Sequence, residues 1–166
     1  MRLEMNGWVF DVDISETRMY SAKVLADHCQ CGYCRNFYQA VDDAYPDLRP
    51  FLAQFGMHVE TPEELMPFEP TVCTVSYCIS GRILRSNPFP LEGGGTVFSV
   101  ETQEEMPFET QCKSPYFVLT SGFLELPWVL EDDMNEVIST ANEPDFLKKM
   151  WNKLLNSTEE TSIISQ

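Results

Sequence analysis

Basic side chains are scarce in this chain. Eleven Lys and Arg stand against 26 Asp and Glu over 166 residues, a formal net charge of −15 at pH 7. A nucleic-acid binder needs a basic stripe that displaces counterions from phosphates, and here the field has the opposite sign. An anionic membrane surface is excluded on the same ground. Long apolar runs are missing as well. No window approaches the roughly 18 unbroken apolar residues of a spanning helix. The opening Met1-Arg2-Leu3-Glu4-Met5-Asn6-Gly7 lacks the apolar stretch of a secretion signal. A cytoplasmic location is therefore expected, where cysteines stay reduced.

The familiar catalytic signatures are absent too. There is no Gly-x-x-x-x-Gly-Lys-Ser/Thr loop, no His-Glu-x-x-His and no Gly-x-Ser-x-Gly. Gly93-Gly94-Gly95 is followed by Thr96 with no phosphate-binding lysine, and it reads as a hairpin turn. With only 2 histidines, an acyl-transfer pair would have to use His28 or His58. His28 is followed by Cys29 and Gln30, where a zinc deaminase needs His-x-Glu. Glu131-Asp132-Asp133 lacks the alternating oxygen ligands and central glycine of a calcium loop.

What the chain does have is a core. Hydrophobic residues make up 43% and aromatics 12%, including 11 Phe, too rich for a disordered acidic segment. The length fits one domain, residues 1–155, with a polar tail over 156–166. Trp8, Phe10, Val12 and Ile14 alternate with Val9, Asp11 and Asp13, which predicts a strand. Residues 17–26 read as a second strand or a short helix, with the strand preferred. Phe37, Val41, Ala44 and Tyr45 fall at helical spacing up to Pro46. Leu48, Phe51, Leu52 and Phe55 make another helical stripe, stopped by Gly56.

Residues 61–70, rich in Pro and Glu, read as a connector. Strands are predicted over 72–85, 96–100 and 116–126, the last with a bulge at Gly122. Strands grouped apart from helices predict an α+β fold, an antiparallel sheet packed against two or three helices. A further helix is predicted over Pro144 to Leu155. Its stripe of Phe146, Leu147, Met150, Trp151, Leu154 and Leu155 must be covered, by this domain's core or by a second subunit in a homodimer. Met66-Pro67-Phe68-Glu69 recurs as Met106-Pro107-Phe108-Glu109, two similar loop-to-strand junctions rather than a solenoid.

The densest chemistry is His28-Cys29-Gln30-Cys31-Gly32-Tyr33-Cys34-Arg35-Asn36-Phe37. Cys-x-Cys joined to Cys-x-x-Cys can turn three sulfurs toward one point, as thiolate metal binding requires. A helix beginning near Gly32 would set Cys31 and Cys34 at its positive end, with Arg35 adding to the field. Three sulfurs do not complete a tetrahedral zinc site. The fourth ligand is then one of His28, His58, Cys73, Cys78 and Cys112, or Asp27 as an oxygen donor. Besides zinc, the cluster fits reduced structural thiols at a tight helix entry, or redox and nucleophilic work.

Between Ser86 and Leu147, Lys113 is the one basic residue against twelve acids. That pattern is either a solvated face or a docking surface for a basic protein. Two functional hypotheses follow. One is a non-catalytic interaction module with an acidic surface and a cysteine cluster that holds structural zinc. The other is a thiol-dependent redox or zinc-dependent enzyme using Cys29, Cys31 and Cys34.

Phe10-x-x-Asp13, Cys29-x-Cys31-x-x-Cys34-x-Asn36-Phe37, the helix ending at Gly56 and Leu126-Pro127-Trp128-Val129-Leu130 together resemble a family of small bacterial proteins, common in Firmicutes, with no assigned function. The resemblance covers most of residues 8–131 and implies a bacterial cytosolic domain. A narrower similarity, confined to Cys29-x-Cys31-x-x-Cys34-Arg35, is to glutathione-dependent formaldehyde-activating enzymes. The upstream Cys-x-Cys and the later Phe-Cys-x-x-Cys-Gly of those enzymes are missing, so this similarity implies only that the spacing holds zinc.

Overall fold

Asn6 and Gly7 both take left-handed backbone, with φ of 48° and 80°. That pairing suits a two-residue hairpin turn, whose twist matches that of the strands it joins. In the computed structural model, which describes residues 1–105, 110–131 and 134, the turn joins β1 (Arg2–Met5) to β2 (Trp8–Val12). The predicted strand from Trp8 is therefore the second arm of a hairpin, and the Asn-Gly pair was its signal. The chain divides into two units, Met1–Leu130 and Glu131–Gln166. Every strand and helix named below lies in the first. The predicted helix over 144–155, with its homodimer alternative, the tail over 156–166 and the second copy of the Met-Pro-Phe-Glu repeat lie outside the described residues.

Residues 17–26 are helical, not a strand: α1 spans Ile14–Ala26. Asp13 starts it, its side chain accepting from the Glu16 N–H at 3.1 Å. The apolar residues here do not share a face. Thr17, Tyr20 and Ser21 are buried while Met19 and Leu25 stay exposed, so hydrophobic period was a poor guide and the cap a better one. α2 (Gly32–Ala44) and α3 (Leu48–Ala53) match the two predicted helices, separated at Pro46.

The connector reading of 61–70 is also corrected. β3 (Glu64–Glu69) pairs antiparallel with β4 (Val72–Arg85). Pro67 is tolerated because β3 pairs on one side only and its register shifts just after the proline. β5 (Leu91–Gly93) and β6 (Thr96–Thr102) form a hairpin around Gly94-Gly95, as the glycine run predicts. β7 (Tyr116–Ser121) and β8 (Leu124–Glu125) follow.

The order is β1-β2-β4-β7-β6-β5, with β3 and β8 also on β4, and every pair is antiparallel. This is the α+β fold that the sequence predicts. β4 is the spine. One edge takes β3 and then β2; the other takes β8 and then β7. Gly81 lets the β4 backbone pass β2, since a Cβ there would lie 2.3 Å from the Asp11 carbonyl oxygen. Between β7 and β8 the pairing slips by one residue, from Ser76 opposite Thr120 to Cys73 opposite Leu124, which is the bulge predicted at Gly122.

The core is aromatic. Phe10 stacks on Phe117 at 5.0 Å, and Phe55 meets both edge-on. Phe51 of α3 stacks on Phe98 of β6 at 5.2 Å. Each such side chain contributes about 1.5–3 kcal/mol on burial. Tyr77, fully buried at the middle of β4, satisfies its hydroxyl by donating to the Val59 carbonyl at 2.8 Å. Among the described residues no helix is long and apolar enough to cross a membrane.

Candidate metal centre

Cys31 is the last extended residue before α2, with φ −65° and ψ 160°, and Cys34 lies three positions on in the first turn. Helix geometry puts those two positions on one face. Cys29 folds back from upstream, its sulfur accepting from the Cys31 N–H at 3.4 Å. The result is convergence: the three Sγ atoms all lie within 4.8 Å of one another. Cys29 and Cys31 are exposed, and Cys34 is buried beneath them.

The cluster divides its charge unevenly. The hydrogen bond from the Cys34 thiol lowers the Cys31 pKa to about 5, outweighing burial, with help from the Cys34 amide, the Cys29 side chain and the Tyr33 amide. Cys31 occupies the N-cap position of α2, where a capping oxygen usually stands. Cys34 is pushed well above the ordinary thiol range, first by donating to Cys31, then by burial and by the neighbouring sulfurs. One sulfur thus carries charge at neutral pH while its neighbour keeps a proton. Tyr38, one helical turn beyond Cys34, is also pushed up, by burial and then by the sulfurs. Sequence inspection passed over Tyr38, although its i+4 spacing from Cys34 placed it on the same face.

The other predicted ligands lie elsewhere. His28 is half-buried, its Nδ1 2.5 Å from the Leu25 carbonyl and its ring edge-on to Tyr38. His58 is exposed, and its backbone N–H donates to Ser21 Oγ at 3.0 Å. Asp27 is exposed at the end of α1. Cys73 and Cys78 are buried on β4, and Cys112 is buried with its sulfur 3.4 Å from Ser80 Oγ. Burial pushes Cys73 up to about 12 and Cys112 up to about 11, and raises Cys78 further. Among the described residues the group holds Cys29, Cys31 and Cys34 and no fourth His, Cys, Asp or Glu atom. Both histidines and all six cysteines of the chain are described residues, so no nitrogen or sulfur donor of these types is left to join from elsewhere in it.

A second connection braces the site. The Asn36 side chain donates to the Pro127 carbonyl at 3.0 Å and accepts from the Val129 N–H at 2.8 Å. Tyr33 meets Trp128 edge-on at 6.2 Å, and Leu126 is buried. The Cys-x-Cys-x-x-Cys-x-Asn-Phe and Leu-Pro-Trp-Val-Leu stretches, far apart in sequence, are thus one packed unit that holds the start of α2 in place. Three cysteine sulfurs within this span suit a thiophilic dication: Zn–S bonds near 2.3 Å in a tetrahedron put sulfurs about 3.8 Å apart, inside the 4.8 Å limit observed here. Fold and site together define an acidic α+β domain with a cluster of three cysteines at a helix entry that could hold a metal ion. No family model, no curated protein and no solved structure matches the chain.

Proposed function

We propose that this protein is a zinc-binding module whose ion is held by Cys29, Cys31 and Cys34. The convergence of three sulfurs within 4.8 Å of one another carries this reading. In it the ion ties the 29–34 segment to α2, and the acidic surface serves as a docking face for a basic protein partner. Glu92, Glu104 and Glu125 are exposed along the acid-rich stretch, which favours that reading. Membership of the bacterial family that the motifs resemble, and work in the cytoplasm where thiols stay reduced, belong to the same proposal.

The second reading is a thiol- or zinc-dependent enzyme. It is favoured by the exposure of Cys29 and Cys31, which are not sealed under Tyr33 and Phe37. Three protein ligands with an open fourth position are also the arrangement of catalytic rather than structural zinc. Metal analysis of protein purified without chelator or added zinc tests the binding itself. About one equivalent of zinc, lost in Cys34→Ala, is expected. Less than about a tenth of an equivalent, with all three thiols freely titratable, would end the zinc reading.

A further inference from the structure

Cys34 differs from the other two sulfurs in being buried, and Cys31 differs from Cys29 in standing at the helix entry. Cys31 is exposed at the entry of α2, and Cys34 is buried directly beneath it in the first turn. The Cys31 and Cys34 Sγ atoms lie within 4.8 Å of each other, so a disulfide between them requires the two sulfurs to close to about 2 Å. Cys29 lies upstream of the helix, beyond Gln30, so only Cys31 and Cys34 share the start of α2. Cys73, Cys78 and Cys112 are buried and stand apart from the cluster.

We propose that Cys31 and Cys34 form a peroxide-sensitive dithiol, with Cys31 as the attacking sulfur and Cys34 as the resolving one. The Cys31 thiolate attacks a hydroperoxide oxygen. An S–O bond forms, the O–O bond breaks, and the departing alkoxide or hydroxide takes a proton. Cys34, giving up its proton, then attacks the Cys31 sulfenic sulfur; the S–S bond forms and water leaves. In sum, two thiols and one hydroperoxide give one disulfide, one alcohol (water, for hydrogen peroxide) and one water, two electrons passing from sulfur to oxygen. The disulfide stands on the apo geometry. Its regulatory consequence rests on the zinc reading: oxidation removes two of the three donors, so the ion is released.

The test treats metal-free and zinc-loaded full-length protein with one equivalent of hydrogen peroxide, followed by alkylation and peptide mapping. The expected product is an intramolecular Cys31–Cys34 bridge with Cys29 still alkylated, about one zinc released per bridge in the loaded sample, and, in Cys34→Ser, a Cys31 sulfenic acid trapped by dimedone. A bridge that includes Cys29, a disulfide-linked dimer, or no bridge at all overturns the proposal. Bridging without bound zinc in either sample retains the dithiol and rejects the zinc reading instead, so the two failures are told apart.

Discussion

Cys29, Cys31 and Cys34 sit within one short stretch at a helix entry, whereas Cys73, Cys78 and Cys112 are spread along the chain and close within the sheet and its flanking loop. The side chain is the same in both sets, yet only the first contains a sulfur, Cys31, whose pKa is lowered. At the helix entry, a neighbouring thiol and amide dipoles stabilise the Cys31 thiolate. Within the sheet, desolvation is the largest cause of the shift for every thiol, and all three are driven to the protonated form. Sulfur becomes reactive here where donors converge on it before burial does.

The strongest way to break this contrast is to label the native protein with a maleimide at neutral pH. Cys29 and Cys31 should react in minutes, while Cys73, Cys78 and Cys112 should be slowed about 1000-fold or more until denaturant is added, because they react through opening of the fold. Comparable rates in the two sets would refute it. A pH series sharpens the same contrast. A group whose pKa is lowered is ionised above that value, so Cys31 alkylation should be half-maximal near pH 5 and flat between pH 6 and 8. A free cysteine, with a pKa of about 8.5, would still climb close to tenfold per unit in that window. A Cys31 profile rising through pH 8 would remove the thiolate assignment.

Stability measurements extend the comparison to packing. Cys78 is fully buried, so Cys78→Ser places a hydroxyl where a thiol packed and should cost about 1–3 kcal/mol in a urea melt. Asn36→Ala removes both bonds to the Pro127–Val129 segment and should cost about 1–2 kcal/mol, with a red shift of tryptophan emission as Trp128 loosens from Tyr33. Unchanged emission would show that the two motifs do not act as one unit. The smallest effect is expected for exposed Cys29→Ser, within about 0.5 kcal/mol in metal-free protein, although zinc binding should fall.

Much of the fold was legible in the sequence where one face is buried and the other is wet. Phe10 and Val12, or Leu48, Phe51 and Leu52, write their periods plainly because each faces one core. Legibility failed where that condition failed. α1 buries a narrow face that includes Thr17 and Ser21, so its apolar residues show no helical stripe, and Asp13 with Glu16 was the better marker. β3 is a one-sided strand carrying Pro67, and its composition resembles a loop. The cysteine cluster was legible because its residues are close neighbours in sequence, so local geometry alone nearly fixes their meeting.

The sequence by itself determined the antiparallel α+β character, the two helices on either side of Pro46 and the meeting of Cys29, Cys31 and Cys34, because periodicity and short spacing are local properties of the chain. Only the tertiary structure decided which sulfurs reach solvent and which are sealed, and that Asn36 fastens the Pro127–Val129 segment to the cluster's helix. It alone also decided that none of His28, His58, Cys73, Cys78 and Cys112 joins the three sulfurs. Those outcomes depend on contacts between residues far apart in the chain, and no local pattern encodes the closing of such distances.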